Sequence, residues 1–393
     1  MPVRTADVVV AGAGVIGAAC AEALSAAGLR VLVCDRGSPA GGTTASGEGN
    51  VLVSDKAPGP GLELAVHSRR LWPRLLAGLR EELGPGPAEV EWEAKGGLVV
   101  ATSDADAAGL GAFAETQRAA GVLVESVGAD EASAMEPLLT RDATAVVHYP
   151  DDAQLQPVLA AGALLAAVRR RGGEVRGGVE VDGLVTDADG VSAAITSGGV
   201  VSCGAVVNAC GPWAGRFAAS IGAPINVEPR RGMVLVTAPL PDAVRHKVYD
   251  ADYVGATTSG EADLRTSTVV ESTRSGTVLI GSSRQRVGFD AALPVTVMRA
   301  LARGAARLFP RLANVPVMRA YGGFRPYTPD HLPVIGEDLR VPGLWHVTGH
   351  EGAGIGLAAG TGRLLADLFL ARPTETDPTP FRVDRPAIVE EPT

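Results

Sequence analysis

Val8-Val9-Val10-Ala11-Gly12-Ala13-Gly14-Val15-Ile16-Gly17, followed by a second apolar run that closes on Asp35, decides the reading of this 393-residue chain. The stretch is an apolar strand, a glycine turn and the start of a helix, and Asp35 stands where the next strand ends. Gly12 permits the tight turn, Gly14 lets the backbone approach a pyrophosphate, and Gly17 lets helix and strand pack closely. A helix N-terminus there presents N–H groups and a partial positive charge to phosphates. Asp35 follows Gly17 by 18 residues, about where a carboxylate accepts hydrogen bonds from an adenosine ribose. Gly12, Gly14, Val15, Ile16, Gly17, Asp35 and the adjacent Arg36 are therefore expected to bind a dinucleotide; the alternative is a Rossmann-like turn that binds nothing. The motif leaves open which dinucleotide.

Bulk properties narrow the class. Hydrophobic content of 46% with 20% charged residues describes a globular chain long enough for two domains. A net charge of −9 argues against nucleic acid or an anionic membrane surface as a partner. No apolar stretch reaches the length of a membrane span. With the first strand expected within about seven residues of the start, no signal peptide is expected. Cys20, Cys34, Cys203 and Cys210 lie singly in apolar segments, which reads as buried thiols in a reducing compartment, with neither disulfides nor a metal site. A cytoplasmic location is expected.

Along the chain, residues 41–50 (GGTTASGEGN) form a polar, glycine-rich loop. The next segment, Glu63 to Leu83, reads as an amphipathic helix with Leu64, Leu71, Leu75 and Leu79 on one stripe; His67 in it reads as structural. Strands are expected at Val90–Ala101 and Val122–Val127 around a helix near Ala105–Ala120, and Pro157 starts a helix that ends near Arg171. Asp-Gly and Gly-Gly punctuation from Glu174 to Asn208 predicts an antiparallel meander. Strands dominate from Val227 to Val287, with a polar insertion at Thr257–Asp263. A helix over Pro294–Phe309, a last helix ending near Leu370, and an extended or mobile strap from Pro373 complete the chain.

Five blocks in this order, GAGVIG, GGTTASGEGN, AVVNACGPWAG, GGFRPYTPDHLPVIG and GHEGAGIGLAAGTG, resemble the glycine oxidase and D-amino acid oxidase family of FAD-dependent oxidoreductases. The likeness runs from Asp7 to about Leu370. The stretches SGEGNVLVSDK and GSSRQRVGFD look closer to opine-oxidase and cyanide-synthase flavoprotein subunits. The resemblance implies an α/β fold: a Rossmann-like FAD-binding domain (GR2-type) from residues 1–88, 149–226 and 325–393, and a second, mostly antiparallel β-sheet substrate domain from residues 89–148 and 227–324. FAD is long and needs several separated holding points, which suits glycine-rich segments in three parts of the chain. Thr43, Thr44, Ser46, Gly47, Gly49 and Asn50 would wrap the pyrophosphate and flavin face, with Val179, Ala209, Gly211 and Trp213 completing the nucleotide side. Gly349, His350, Glu351, Gly352, Ala353, Gly354, Ile355 and Gly356 would bring a helix start to the flavin pyrimidine ring, where it stabilises negative charge on the reduced ring. Covalent-flavin branches carry a histidine in the early loop or a cysteine before the TPD; this chain has neither, so FAD is expected to be non-covalent.

In the resembled family the arginine of the RPxTxD block, here Arg325, grips a substrate carboxylate through a planar two-point contact. The implied reaction is oxidation of the C–N bond of an amino acid or N-substituted amino acid, with hydride passing from Cα to flavin N5 to give an imine that hydrolyses to a keto acid or aldehyde. His350, Glu271, Tyr253 and Tyr327 are further candidates for the substrate side, Glu48 for contact with an amine, and Asp330 for capping its turn or pairing with Arg325. Leu279 stands about where sarcosine-oxidase relatives place an oxygen-activating lysine, which leaves O2 or another acceptor as the oxidant. A homo-oligomer or a partner subunit both remain open. Rival readings are a flavin hydroxylase, an NAD(P)-dependent dehydrogenase, and a flavin-binding subunit active only in a heteromeric dehydrogenase complex.

Overall fold

The computed structural model describes residues 5–252 and 261–389. Strand Val8–Ala11 is fully buried because helices cover one face of its sheet, against Val8 and Val10, and a three-stranded meander covers the other, against Val9 and Ala11, which is why the sequence runs apolar without alternation. It sits inside a six-stranded sheet between Ala205–Asn208 and Val31–Asp35, parallel to both. Leu344–Thr348 and Glu174–Gly177 extend the parallel part outward on either side, and Val334–Glu337 adds an antiparallel edge. One sheet thus gathers segments from both ends and the middle of the chain.

Helices Val15–Ala26, Pro60–Leu83, Pro157–Arg170 and Gly354–Phe369 pack on this sheet and on one another. The close crossings need small residues: a Cβ at Gly362 would overlap the Ala19 carbonyl, and one at Gly360 would crowd Ser68. The helix starting at Pro60 begins three residues before the expected Glu63, with proline in its first turn, where a missing N–H costs nothing. The expected meander is present as Val181–Asp187, Gly190–Thr196 and Gly199–Ser202, all antiparallel. Its leading strand Glu174–Gly177 instead joins the parallel sheet.

The second sheet has eight strands, in the order Val317–Tyr327, Glu228–Thr237, Val278–Arg284, Arg265–Ser272, Lys247–Asp250, Gly97–Ala101, Ala145–Tyr149 and Glu125–Val127. Every pairing is antiparallel except that between Lys247–Asp250 and Gly97–Ala101. Helix Val295–Leu308 closes one face over an apolar core of its own, with Leu301, Ala305 and Leu308 buried. Strand Val317–Tyr327 runs through the expected division at residues 324 and 325 without a break.

The C-terminal segment is a packed strap. Phe381, Val383 and Ile388 are buried, and the Arg385 guanidinium donates to Asp330 at 2.6 Å. The apolar side chains spaced through this Pro- and Thr-rich stretch anchor it where its composition alone suggested mobility. Asp330 also accepts the Leu332 N–H; its guanidinium partner is Arg385, not Arg325. His67 lies in a helix with Glu375 of the strap 3.6 Å away. All four cysteines are free. Among the described residues no helix is long and apolar enough to cross a membrane.

Candidate active site

The glycine turn closes as its residues require. Gly12 has φ +107°, and a Cβ there would collide with the Ala209 carbonyl; a Cβ at Gly17 would lie on the carbonyl of Gly12. Asp35 braces the turn, accepting N–H bonds from Ala13 and Gly37 at 2.8 Å each. The Thr44 hydroxyl accepts the Val15 N–H at 3.0 Å, so a side chain from the early loop takes one of the helix's unsatisfied donors. Thr43 and Ser46 bind the same loop to strand Val317–Tyr327 through the carbonyls of Phe324 and Gly322. The loop thereby ties one sheet to the other.

Between them lies a cavity of about 800 Å³, in the size range of cofactor sites. It runs from the glycine turn along the early loop to Arg325 and the start of the last helix. Of the expected residues, Gly12, Gly14, Val15, Ile16, Asp35, Arg36, Thr43, Thr44, Ser46, Gly47 and Asn50 line it, as do Ala209, Gly211, Trp213, Arg325, His350, Glu351, Gly352, Gly354 and Ile355. The structure suits a long cofactor: a Cβ added at Gly211 would meet no atom within 4 Å, while one at Gly47 would collide with Ile355. Backbone on both walls is bare where a dinucleotide would lie. Arg36 stacks on the Trp213 ring at 4.4 Å, giving the nucleotide end a flat wall.

Six expected contacts lie off the cavity wall, each for a packing reason. Gly17 and Gly49 serve backbone approach, Gly49 to the Leu155 carbonyl. Gly349 turns with φ +78° against Thr328, and Ala353 donates its N–H to His350. Val179 donates to the Asp35 carbonyl. Gly356 packs on strand Asn50–Val51, and its carbonyl accepts from Ser68 at 2.6 Å and from Trp72 at 3.1 Å.

Where the cavity meets the eight-stranded sheet, Arg325 faces Arg230 across the strand pair. Gly232 makes room for it, since a Cβ there would overlap the guanidinium; Arg325 Nη1 donates to the Ser283 carbonyl at 2.8 Å. Arg230 is wholly buried and pairs with Glu351 at 3.1 Å, and His331 holds the other Glu351 oxygen at 2.6 Å. His350 is buried with Nε2 3.0 Å from the Thr361 hydroxyl; burial pushes its imidazole down to about 3, so the ring is neutral across the physiological range. Tyr327 lies off the cavity, packed edge-on to His331 with Arg230 and Arg286 over its ring. Glu271 is also off the cavity: it is fully buried and ion-paired with Lys247. Tyr253 lies outside the described residues.

Sequence reasoning overlooked Lys247, Arg230 and Arg284, all buried. The only available signal was a charged residue inside an apolar strand run, as in Val244-Arg245-His246-Lys247-Val248. Burial drives the Lys247 ammonium down to about 7, opposed by the Glu48 carboxylate. Burial also raises the Glu48 carboxyl, against the pull of Lys247, Arg325 and Arg284.

Comparisons with known proteins agree with this geometry. The profile for "DAO: FAD dependent oxidoreductase" matches residues 7–368. Glycine oxidase from Geobacillus kaustophilus is 31% identical over 383 residues, spanning 96% of this chain and 97% of that protein. Hydrogen cyanide synthase subunit HcnC from Pseudomonas aeruginosa is 28% identical over 421 residues, 97% of this chain and 96% of that one. The crystal structure of the Geobacillus kaustophilus glycine oxidase superposes with a TM-score of 0.87 at 28% identity, covering 97% of this chain and 99% of that one. The L-proline dehydrogenase of P. horikoshii shares the fold, with a TM-score of 0.86 at 21% identity over 97% of each chain. Cavity, glycine turn and comparisons converge: the chain belongs to the DAO family of FAD-dependent oxidoreductases, and is an enzyme of that family.

Proposed function

We propose that this enzyme oxidises the C–N bond of an amino acid or N-substituted amino acid, releasing an imine that hydrolyses to a keto acid or aldehyde. The observation that carries this reading is Arg325. It lines the same cavity as the glycine turn, lies flat over Gly232, and is steadied by the Ser283 carbonyl. A guanidinium fixed in this way offers a planar grip to a carboxylate and sets which face of the adjoining Cα–H is presented. Bound FAD supplies the electron sink that takes the hydride lost from Cα. The residues beside it bind and orient. The start of the last helix at Gly354–Ile355 aims its N–H groups and dipole at the cavity, and His350 stays neutral against Thr361. We assign FAD to the Rossmann-like part without a covalent link, and the substrate to the eight-stranded part, in two domains.

The test is the visible spectrum of purified protein under anaerobic conditions, before and after glycine, sarcosine, D- and L-amino acids and opines. A yellow protein bleached by one class identifies the substrate, and readmitting air separates an oxidase from a dehydrogenase with another acceptor. Flavin that no amine bleaches would overturn the reading for the isolated chain. The similarity to HcnC, named as a subunit of a synthase, favours as a second reading a flavoprotein subunit active only within a heteromeric dehydrogenase complex; restored bleaching on adding the partner subunit would support it.

A further inference from the structure

We propose that Glu48, in the cavity wall against Gly281, binds the substrate's ammonium group and takes its proton before oxidation. This rests on the amine-oxidising reading above and adds to it the protonation state of the substrate and the group that changes it.

An amino acid carries an ammonium group at neutral pH, and a nitrogen without a free electron pair cannot assist loss of hydride from the adjoining carbon. A base must act first, within hydrogen-bond reach. Several carboxylates line the cavity. Asp35 is occupied by the N–H groups of Ala13 and Gly37, and Glu351 by Arg230 and His331. Glu180 lies with Arg36 at the nucleotide end, next to Asp182 on the meander. Glu48 differs: its Oε1 is buried with no hydrogen-bond partner. A buried carboxylate oxygen left unpaired is costly, and an ammonium ion would satisfy it. Gly281 makes its position available, since a Cβ there would collide with Oε1.

Burial raises the Glu48 carboxyl toward the pH range in which a base must work, and neighbouring groups oppose that shift. Lys247, Arg325, Arg284 and the Asn50 side chain favour its charged form, and the Tyr321 phenol faces it. Lys247 and Glu271 are wholly buried and opposite one another on neighbouring strands. Lys95, Asp152 and Asp55 are the other charges Lys247 senses. Lys247 thus acts on Glu48 through its charge, and Glu271 pairs with Lys247. With Arg325 for the carboxylate and Glu48 for the nitrogen, the cavity matches both ends of a zwitterion. In the step itself an N–H bond breaks and an O–H bond forms on Glu48. The nitrogen pair then becomes the second C–N bond as the Cα–H electrons leave as hydride, with FAD as the oxidant.

The experiment uses the flavin-loaded enzyme and two non-reacting probes of similar shape. One is 2-aminoisobutyrate, which has no Cα–H; the other is isobutyrate, which has no amine. Binding is read from the perturbed flavin absorbance, and kcat/KM is followed against pH. For Glu48→Gln the expected result is about tenfold or greater loss of affinity for 2-aminoisobutyrate with isobutyrate unchanged. Its kcat/KM should fall about a hundredfold at neutral pH and recover at alkaline pH, where the substrate amine is already neutral. For Lys247→Met the acid limb of the profile should move to higher pH, because a cation that held the Glu48 carboxyl down is gone. Equal weakening of both probes, or an acid limb unmoved by Glu48→Gln, would overturn the proposal. If Lys247→Met does not retain flavin, Glu48→Gln decides alone. If no amine reduces the wild type, the amine-oxidation reading fails, while the paired probes still report on Glu48.

Discussion

The two sheets of this protein handle polarity in opposite ways. Around the parallel sheet the cavity wall includes bare backbone: Gly12, Gly14 and Gly211 expose the chain itself, and strand Val8–Ala11 behind them is apolar throughout. The eight-stranded sheet instead buries charged side chains in its interior, with Arg230, Lys247 and Glu271 each wholly enclosed. A cofactor common to many proteins can be recognised through main-chain shape and a helix dipole, which tolerate sequence change. A substrate specified by its charges needs ionised groups at fixed points, and burial makes each of them sensitive to its partners.

The largest effect expected on the first region comes from Gly17→Val. Its side chain would overlap the Gly12 carbonyl, forcing helix and strand apart at a cost of about 3 kcal/mol. The purified variant should carry no flavin absorbance. Retention of flavin with an unshifted melting temperature would break the claim that backbone fit governs this side. On the other side, Arg325→Met should leave the flavin spectrum in place and lower kcat/KM by about two orders of magnitude, or about 3 kcal/mol. A loss of flavin instead would show that Arg325 serves the cofactor.

Two further changes sharpen the contrast by acting on stability. Phe381→Ala removes a fully buried ring from the strap and should cost about 3 to 4 kcal/mol, read from denaturant midpoints at constant slope. The pH profile of kcat/KM should stay unmoved, because Phe381 carries no titratable group and does not line the cavity. His350→Gln tests pH linkage. The folded-state imidazole is held down at about 3, while an unfolded histidine titrates near 6.5. Below about pH 6.5 the unfolded chain therefore binds a proton the native state refuses, and stability falls by about 1.4 kcal/mol per pH unit until the folded value is reached. The glutamine variant should lose that one-proton slope in urea unfolding followed from pH 7 to 4. An unchanged slope would show that His350 is not held neutral.

Much of the first region was legible in the sequence because its causes are local. Gly12, Gly14 and Gly17 act within one turn, and the helix of residues 157–170 announces itself by its proline and apolar spacing. Local signals do not reveal that the Gly356 carbonyl accepts hydrogen bonds from Ser68 and Trp72, residues almost three hundred positions away. The composition from Pro373 left an extended or a mobile strap open, and only its distant contacts reveal the anchors at Phe381 and Arg385.

The sequence by itself determined the dinucleotide turn, the mixed α/β class and the family, since each depends on residue order over short spans. Only the tertiary structure decided the partners of the buried charges. Glu271 reads from sequence as a substrate-side candidate, yet it pairs with Lys247 across a strand pair, and the charged form of Glu48 is favoured by Lys247, Arg284 and Arg325 from three separate segments. The physical reason is that a charge's state depends on what surrounds it in space, and strand register, fixed by the packing of whole sheets, sets those surroundings.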